Sequence, residues 1–363
     1  MNAEEILKNL KTDCFHYRGD LPCEPHRREG KVCGCNEYLP LNRRGIIIKL
    51  GAAGDVIRTT PLLRALDPLK TGTKVLWVTH SPELIPAQAC EAVKPTASVM
   101  ARLAATDWDF CWNLDKDIEA CAIASQVRAK EYAGYSLRNG VPYPVDERAW
   151  HKFATGLDNP YSKANSWNYV QEIFDIVGLP YTQEEYWLRE PAGASKLLAE
   201  EILPGQGWLG LNTGAGWRWP TRIWPEENWV GLIVSLKAAG LKPVILGGPE
   251  EIALNDRLAQ ETGCLWPGVK SLDVFYAMVA RCEALVTSVT QAMHLAIAAR
   301  VPLVVFNNIF NQAEFELYGR GEIVAPPTSC DCFYDAVCKT GRNCVKEITI
   351  EHVMQSLMRN LNA

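Results

Sequence analysis

The chain has 363 residues, of which 48% are hydrophobic, and its formal net charge at pH 7 is −5. That length favours two domains over one, and the acidic balance gives no reason to expect nucleic-acid binding. No apolar stretch approaches the ~20 residues that a membrane span needs. Residues 1–8 lack the apolar core of a signal peptide. We therefore expect a cytoplasmic protein that would meet any membrane-linked substrate at the inner face.

Residues 1–44 are predicted to form a Cys/His-rich extension ahead of the main fold. Its candidate metal ligands are Cys14, Cys23, Cys33 and Cys35, with His26 close by. In a reducing compartment, clustered cysteines indicate a metal before a disulfide, and such ligands suit structural zinc or iron. The spacings are looser than those of a zinc ribbon. Free buried thiols or adventitious disulfides therefore remain the alternative.

A glycine turn follows the first apolar run, Ile46–Leu50, which predicts a buried strand. Gly51 and Gly54 bracket the turn, and Asp55 stands at its mouth. Strand–turn–helix units of this kind bring backbone N–H groups to a ligand, but a carboxylate there would repel a phosphate. Asp55 therefore suits a general base better than an anion cradle. The following helix is predicted to carry one apolar stripe, which is Val56, Ile57, Leu62, Leu63 and Leu66.

Strands and helices then alternate in two series. This alternation predicts an α/β protein with two Rossmann-like lobes facing a cleft. We place the first lobe at residues 45–190 and the second at residues 191–345, after a break at Glu190-Pro-Ala-Gly-Ala. Residues 138–165 are rich in Pro, Gly and Asn and are predicted to form a long functional loop. Residues 346–363 are assigned to a final helix that crosses back onto the first lobe.

The loop after the predicted strand Trp208–Asn212 is suited to a diphosphate. Its backbone donors, hydroxyl and positive charges are supplied by Asn212, Thr213, Gly214, Gly216, Arg218 and Arg222. Charge-assisted hydrogen bonds of this kind stabilise the charge of a leaving group. A surface loop with two solvated arginines is the alternative. The density of Gly, Thr and Arg after a strand favours the phosphate site.

Two further loops of the second lobe carry candidate donor ligands. In the first, Gly248 would let a nucleoside lie close to the backbone, and Glu250 or Glu251 would accept ribose hydroxyls. Acidic residues at a helix start are the alternative for both glutamates. In the second loop, Thr290 and neighbouring hydroxyls precede a helix that carries His294. Hydroxyls at a helix start are typical of an anion site, although a half-buried structural histidine is the commoner role.

A second set of cysteines lies near the end of the chain. Its members are Cys330, Cys332, Cys338 and Cys344. Like the first set, it could hold zinc or iron at a tetrahedral site, or consist of free thiols. Four ligands would leave no open position on the metal. Either set is therefore predicted to be structural rather than catalytic.

Four segments together resemble glycosyltransferase family 9, the ADP-heptose:lipopolysaccharide heptosyltransferases. They are Ile-Lys-Leu-Gly-Ala-Ala-Gly-Asp-Val-Ile-Arg-Thr-Thr-Pro-Leu-Leu, Asn-Thr-Gly-Ala-Gly followed by Arg-Ile-Trp-Pro, Leu-Gly-Gly-Pro-Glu-Glu, and Met-His-Leu-Ala. The resemblance covers roughly residues 45–350 and is specific in order and spacing. It implies a GT-B fold and inverting transfer that needs no metal or other catalytic cofactor.

The resemblance also assigns roles to residues. Asp55 resembles the general base that removes the acceptor hydroxyl proton, on an acceptor-side turn with Gly51, Gly54 and Arg58. On the donor side, the residues similar to phosphate, diphosphate and ribose ligands are Thr213, Arg222, Glu250, Glu251 and His294. The family's usual Thr-Asn-Asp-Ser-Gly-Pro-Met-His-Leu is altered here. Val289 replaces the aspartate and Gln291 replaces the glycine, which puts the donor sugar in question.

Three functions follow as hypotheses. The leading one is transfer of a heptose or related sugar from an ADP-sugar to a lipopolysaccharide-core or other surface glycan at the inner membrane face. The second is a transferase of the same family that modifies protein side chains, for which the extra cysteine segment is the only indication. The third is a non-catalytic nucleotide-sugar-binding protein, motivated by Val289 and Gln291.

Overall fold

The computed structural model describes residues 2–216, 218–328 and 332–361. The chain divides into two compact units, the first made of Met1–Phe153 and Ile173–Trp187 and the second of Ala154–Glu172 and Leu188–Ala363. Within those described ranges, none of the helices is both long enough and apolar enough to span a bilayer.

The first unit is built on a six-stranded sheet. Its strands are β1 Arg43–Ile48, β2 Thr73–Val78, β3 Glu91–Val93, β4 Asp107–Asn113, β5 Arg128–Arg138 and β6 Val141–Pro144. They lie in the order β3-β2-β1-β4-β5-β6, and all neighbours are parallel except β6, which returns antiparallel to β5. The central strand β1 ends in three consecutive buried isoleucines, as expected where helices cover both faces of a parallel sheet.

The second unit is built on a five-stranded parallel sheet. Its strands are β7 Trp208–Asn212, β8 Lys242–Leu246, β9 Cys282–Ser288, β10 Leu303–Phe306 and β11 Gly321–Val324. Their order is β11-β10-β9-β7-β8. β8 lies on one side of β7, and the next strand in the chain, β9, lies on the other side. Open α/β sheets bind ligands at the carboxyl ends of the strands where the strand order changes direction in this way.

Helices connect the strands in both units. They are α1 Ala3–Asn9, α2 Glu24–Glu29, α3 Ala53–Ile57, α4 Pro61–Leu66, α5 Pro68–Thr71, α6 Ala97–Ala105, α7 Ile118–Gln126, α8 Trp150–Thr155, α9 Asn159–Ala164, α10 Tyr169–Val177, α11 Gly193–Ile202, α12 Glu226–Ala238, α13 Ile252–Thr262, α14 Leu272–Val279, α15 Gln291–Ala298 and α16 Ile350–Leu361. Short 3₁₀ turns lie at Pro82–Leu84, Glu147–Ala149, Pro220–Arg222, Pro249–Glu251, Gln312–Glu314 and Cys344–Glu347.

Each unit has its own hydrophobic core. In the first, alternate side chains of β1, Ile46 and Ile48, pack with Leu103 of α6 and Ile123 of α7. In the second, the core is centred on three aromatic rings, Trp224, Trp229 and Phe306, whose centroids lie 4.9–5.7 Å apart. Aromatic rings bury a large area in such positions, so this cluster fixes α12 against the sheet just after the loop that carries Arg222.

The single helix predicted after the glycine turn is two short helices. α3 ends at Ile57 and α4 begins at Pro61. The Thr59 hydroxyl donates to the Val56 carbonyl at 2.7 Å, and the Thr60 hydroxyl donates to the Ile57 carbonyl at 2.6 Å. Pro61 has no N–H to continue the helix, and the carbonyls of Val56 and Ile57 accept both the backbone N–H and the hydroxyl of Thr59 and of Thr60, respectively. The predicted apolar stripe is nevertheless buried.

Residues 138–165 are ordered structure rather than the long loop that their composition suggested. They contain the end of β5, the strand β6, and the helices α8 and α9. Asp158 starts α9 by accepting a hydrogen bond from the Tyr161 N–H at 2.7 Å. The Pro and Asn residues in this segment therefore mark turns and helix starts, which the absence of apolar periodicity concealed.

The N-terminal segment packs on the first unit, and the C-terminal helix α16 packs on the second. Phe15 and Tyr17 accept hydrogen bonds through their carbonyls from Lys74 of β2, each at 3.3 Å, within the first unit. At the other end, Val353 and Leu357 of α16 are buried in the core of the second unit. α16 contacts β9, β10 and β11 and is therefore described with the second unit, while its crossing onto the first lobe stays a prediction.

Candidate functional site

The glycine turn of the first unit rests on a buried ion pair. Lys49, at the end of β1, pairs with Asp115, which follows β4. Asp115 also accepts the N–H of Gly51 at 2.7 Å. A Cβ on Gly51 would lie 3.0 Å from the Asp115 carboxylate and 3.1 Å from the Lys49 Nζ. A side chain at position 51 would therefore have to push the ion pair aside by a few tenths of an ångström, which is avoided with glycine.

Asp55 lies in the first turn of α3, immediately after this glycine turn. Its side chain is 36% exposed, and it forms an ion pair with Arg58 at 2.7 Å. The Arg58 Nε donates to the same carboxylate oxygen, Oδ1, at 3.0 Å. An accessible carboxylate held by a neighbouring guanidinium has a fixed orientation. It can accept a proton from a hydroxyl placed against its second oxygen.

A cavity of about 540 Å³ lies at the carboxyl ends of the strands of the second unit. Three of the loops singled out from the sequence line it. The predicted residues among its lining are Gly214, Gly216, Arg222, Gly248, Glu250, Glu251 and Thr290. Its volume falls within the range of cofactor and nucleotide pockets, which are about 300–1,000 Å³.

Arg222 is the buried cation of this pocket, with 5% of its surface exposed. Its terminal nitrogens donate to the carbonyls of Ala215 and Val289, and its guanidinium lies 5.0 Å from the Phe310 ring centre. Burial lowers the pKa of Arg222 to about 10, so it stays charged at neutral pH. Its Nε has no hydrogen-bond partner in the described part of the chain. A buried cation without a carboxylate partner favours an anionic ligand.

Glu251 joins two of the pocket loops. Its carboxylate accepts the Gly248 N–H at 2.8 Å, and a Cβ on Gly214 would lie 2.7 Å from that same carboxylate. A side chain at position 214 would therefore displace Glu251. Because positions 214 and 248 are glycines, the loop after β7 and the loop after β8 can both approach the Glu251 side chain. Both glycines line the cavity.

The third loop brings a hydroxyl and a helix start to the pocket. Thr290 is the N-terminal cap residue of α15, and its hydroxyl lies 3.1 Å from the Thr287 hydroxyl and 3.3 Å from the Asn212 Nδ2. Gln291 and Ala292 of the first helical turn also line the cavity. The N-terminal end of a helix has free N–H groups and a positive partial charge. Together with Arg222, it makes this side of the pocket favourable for phosphate.

The cavity lining also includes residues that the sequence analysis did not identify. Val269, Leu272 and Phe275 supply apolar surface, and Lys270 stands among them. Val269 and Lys270 lie between Leu265, which pairs with Val244 as an isolated parallel bridge, and the helix α14, whereas Leu272 and Phe275 belong to α14 itself. A lysine between apolar residues just before a helix start was the available signal. Apolar surface in a pocket that also has a phosphate-binding cation is suited to a nucleobase.

Three predicted donor residues lie outside the lining of this cavity. Thr213 is 2% exposed, and its hydroxyl donates inward to the Asn255 Oδ1 at 2.6 Å. His294 is buried within α15. Arg218 is exposed, with its guanidinium 5.1 Å from the Trp219 ring centre. The pocket is therefore formed by backbone, Arg222 and Thr290 rather than by every polar side chain of the motifs.

The first cysteine set is not assembled as a metal site. In residues 2–216, 218–328 and 332–361, no three His, Cys, Asp or Glu side chains are grouped so that they could hold a metal ion. Cys14 is buried, and the sulfur of Cys33 accepts the Lys11 N–H at 3.3 Å. Cys23 stands at the start of α2. These thiols therefore occupy separate local environments.

The second cysteine set is partly described, because Cys330 lies outside the described residues. The Cys338 sulfur lies 3.5 Å from the Thr340 hydroxyl. The backbone N–H of Lys339 donates to the Cys332 sulfur at 3.2 Å, and that of Asn343 donates to the Cys338 sulfur at 3.3 Å. Hydrogen bonds lower the pKa of the Cys338 thiol to about 6. The bond with the Thr340 hydroxyl has the largest effect, and the bond from the Asn343 backbone N–H has the next largest.

The same arrangement of elements occurs in known glycosyltransferases. A glycosyltransferase family 9 protein from Veillonella parvula superposes with a TM-score of 0.68 at 18% identity, covering 88% of this chain and 97% of that one. The E. coli ADP-heptose lps heptosyltransferase II gives a TM-score of 0.64 at 16% identity, covering 88% and 98%. The E. coli heptosyltransferase WaaC with ADP gives 0.60 at 17% identity, also covering 88% and 98%.

These likenesses confirm the predicted α/β fold with two mostly parallel sheets, as in GT-B heptosyltransferases. No curated protein sequence matches the chain significantly. Residues 96–319 match the family described as glycosyltransferase family 9 (heptosyltransferase). That match covers more than half of the sequence and includes the three loops that line the pocket. The chain therefore belongs to glycosyltransferase family 9.

Proposed function

We propose that this protein is an inverting transferase that binds an ADP-sugar in the second unit and transfers the sugar to a glycan acceptor. The observation that carries the proposal is the buried guanidinium of Arg222, which has no carboxylate partner within the described ranges and lines the cavity beside the start of α15. A diphosphate would supply the negative charge that this position lacks. As the bond between the sugar and the diphosphate breaks, the same groups would stabilise the charge on the leaving group.

The acceptor side of the reaction is assigned to the first unit. The acceptor hydroxyl oxygen forms the new bond to the anomeric carbon, the bond to the diphosphate oxygen breaks, and Asp55 takes the hydroxyl proton. Its exposure and its pairing with Arg58 support this role. Attack from the face opposite the leaving group inverts the anomeric configuration. Arg222 provides positive charge at the diphosphate without a divalent cation, which supports metal-independent transfer.

A heptose, or a related sugar, is the proposed donor group. The support is family membership and the likeness to heptosyltransferases. Val289 binds Arg222 through its backbone carbonyl, so replacement of an aspartate at this position leaves the Arg222 contact intact. We place the acceptor among lipopolysaccharide-core or other surface glycans and propose that the protein acts on it peripherally at the inner face of the membrane.

The test of this function is calorimetric titration of ADP, UDP and GDP into the purified protein in excess EDTA. Tight binding that is selective for ADP supports the proposal. Preference for UDP or GDP overturns the ADP-sugar donor. Absence of binding by all three nucleotides favours the non-catalytic alternative motivated by Val289 and Gln291. Transfer from ADP-heptose to a polypeptide, detected by mass spectrometry, would identify the protein-modifying alternative.

We expect Arg222→Met to weaken ADP binding by about 10- to 100-fold, because a charge-assisted hydrogen bond contributes about 1.5–3 kcal/mol. Arg222→Lys should give an intermediate loss, since it keeps the charge but not the planar set of donors. The matched control is Arg281→Met, because Arg281 donates to the carbonyls of Leu203 and Gly205 outside the pocket. Calorimetry checks all three. Wild-type affinity in Arg222→Met would contradict the assignment.

We also propose that the second cysteine set, Cys330, Cys332, Cys338 and Cys344, holds a structural metal. Within the described ranges its members are not grouped as a metal site, so metal binding would have to bring them together. The backbone N–H groups that donate to the Cys332 and Cys338 sulfurs support it, because such donors also stabilise thiolate ligands. Thiolate sulfur suits zinc or iron, which would stiffen a segment with few buried apolar side chains. The proposed metal is structural, so no step of the transfer depends on it.

Cys338→Ser is expected to lower the metal content of the purified protein from about one ion per chain to well below half. Inductively coupled plasma mass spectrometry measures zinc and iron together. Cys264→Ser is the matched control, because Cys264 is a buried thiol of the second unit outside both sets. A wild-type protein that stays metal-free after reconstitution with zinc and with iron would contradict this site.

A further inference from the structure

An aromatic ring of the second unit packs on the buried guanidinium of Arg222. The guanidinium carbon lies 5.0 Å from the centre of the Phe310 ring, and Phe310 is in turn in contact with the loop of residues 332–344. We propose that this 332–344 loop positions Arg222 for the diphosphate, through Phe310. The assignment of the anion as the diphosphate of an ADP-sugar rests on the function proposed above, whereas the positioning of Arg222 does not.

The Phe310 ring stabilises the cation and leaves its hydrogen-bond donors to other groups. The five N–H donors of an arginine lie in the plane of the guanidinium, and the ring contacts its face. The terminal nitrogens of Arg222 donate to the carbonyls of Ala215 and Val289, whereas its Nε has no hydrogen-bond partner in the described part of the chain. Because attraction between a cation and a ring is strongest where water is excluded, the ring holds Arg222 without occupying the donors that an anion needs.

Phe310 itself is fixed by backbone and ring contacts. Asn307, just after β10, accepts the Phe310 N–H through its Oδ1 at 3.2 Å and donates through its Nδ2 to the Phe310 carbonyl at 2.9 Å. The Phe310 ring centre lies 5.7 Å from that of Trp219 and 5.1 Å from that of Tyr334. Aromatic pairs at such distances contribute more than the area that they bury. Rotation of the Phe310 ring away from Arg222 would therefore also disrupt these pairs.

Tyr334 is the residue through which the 332–344 loop contacts the Phe310 ring. Its backbone φ is 51°, which is uncommon for a bulky residue. Its N–H donates at 3.0 Å to the carbonyl of Ile309, the residue before Phe310, and its hydroxyl is hydrogen-bonded to the Glu314 carboxylate. Residues in sparsely populated conformations persist where their surroundings fix them, and they are concentrated at functional sites. The contacts that place the Tyr334 ring on Phe310 thus also maintain its backbone conformation.

A second link joins the 332–344 loop to the residue before Arg222. The Asn308 Nδ2 donates to the Thr221 carbonyl at 2.9 Å and to the Cys344 sulfur at 3.5 Å. The Thr221 hydroxyl donates to the Asp335 carbonyl at 3.4 Å. The loop is therefore bonded next to Arg222 as well as next to Phe310. A displacement of the loop would move both the cation and the ring that packs on it.

Phe310 and Tyr334 act through Arg222 rather than by contact with the ligand. Arg222 lines the cavity, but Phe310 and Tyr334 do not. Shortening either ring should therefore leave the rest of the lining in place and change how firmly Arg222 is held. This predicts a loss of affinity for the charged part of a nucleotide and not for its nucleoside part.

The test is calorimetric titration of inorganic pyrophosphate and of ADP into the full chain without added metal ions. We expect Phe310→Leu and Tyr334→Leu each to weaken binding of both ligands by about 3- to 30-fold, the range for a contact between a buried cation and a ring. Tyr334→Phe keeps the ring and should bind both ligands as wild type does. The matched control is Phe315→Leu, because the Phe315 ring lies 6.4 Å from Phe310 but, among the described residues, has no contact with the Arg222 guanidinium.

Two measurements separate positioning from a general loss of structure. Adenosine lacks the diphosphate, so its affinity, measured by competition with ADP, should be the same in both leucine variants as in wild type. Phe310→Leu added to Arg222→Met should cause no further loss of pyrophosphate or ADP binding, because Phe310 acts through the side chain already removed. Additive losses, or equal losses for adenosine and ADP, would overturn the inference. If Phe310→Leu does not fold, the comparison of Tyr334→Leu with Tyr334→Phe provides the same test.

The outcomes distinguish this inference from the proposed function. If wild type binds pyrophosphate but not ADP, and the leucine variants weaken pyrophosphate binding, the positioning of Arg222 stands and the ADP-sugar function is overturned. If wild type binds ADP and both leucine variants bind it equally well, the inference is overturned and the function stands. If wild type binds neither ligand, both are overturned.

Discussion

Asp55→Asn is expected to lower the rate of glycosyl transfer by about 10²- to 10⁴-fold while ADP affinity stays at its wild-type value. The amide is nearly isosteric with the carboxylate, so the turn and α3 should keep their structure. It cannot accept the acceptor proton as an anion does. Its contact with Arg58 also changes from an ion pair at 2.7 Å to a neutral hydrogen bond.

The matched control for this experiment is Asp107→Asn. Asp107 lies in the same unit and pairs with Arg128 at 3.2 Å, but its side chain is 87% exposed. An exposed pair of this kind contributes about 0–1 kcal/mol, so transfer should be unchanged. Transfer is followed with ADP-heptose as donor, and ADP binding is measured on the same preparations. Equal transfer rates for Asp55→Asn and wild type would remove Asp55 as the base.

Lys49→Met is expected to destabilise the first unit by about 3–5 kcal/mol, because it leaves the buried Asp115 carboxylate without its cation. The Lys49 and Asp115 side chains are 4% and 9% exposed. The Asp115 carboxylate would keep its hydrogen bond from the Gly51 N–H at 2.7 Å, which does not neutralise its charge. The glycine turn, and with it the start of α3, should become less well fixed.

Two further variants show whether the loss comes from the unpaired charge. Lys49→Met combined with Asp115→Leu removes both charges and should be less destabilising than Lys49→Met alone. Lys130→Met is the exposed control, since Lys130 is 79% exposed in its pair with Asp109. Because a chain of two units need not unfold in one step, hydrogen exchange of the β1 and β4 amides is the appropriate measurement. Unchanged protection in Lys49→Met would contradict the expected role of the pair.

The sequence was a good guide to the strands that position the pocket. The predicted strand Trp208–Asn212 is confirmed with the same bounds, and the neighbouring strand Lys242–Leu246 has the same kind of sequence. Both are buried apolar runs ended by glycine or polar residues, and such runs are recognised locally. Helix limits were less accurate around Pro61 and in residues 138–165, where side-chain hydrogen bonds rather than apolar periodicity determine where helices begin and end.

The direction in which a side chain points was harder to predict. Thr213 belongs to a phosphate-like motif, yet its hydroxyl is bonded to Asn255, which comes 42 residues later in the chain. The Lys49–Asp115 pair joins residues separated by 66 positions. Neither partner is implied by a local pattern. The apolar surface at Val269 and Phe275 was missed for the same reason, because it becomes part of the site only when the sheet is assembled.

The shared carboxylate of Glu251 has a consequence for how such chains diverge. Gly214, Gly248 and Glu251 are in contact although they belong to two loops, and any side chain at position 214 would meet the Glu251 carboxylate at 2.7 Å. A larger residue at position 214 requires the Glu251 carboxylate to leave its bond with the Gly248 N–H, or position 251 to be shorter. Among homologous sequences, we therefore expect these positions to change together, and single transplants of either loop between homologues to fail where the paired transplant succeeds.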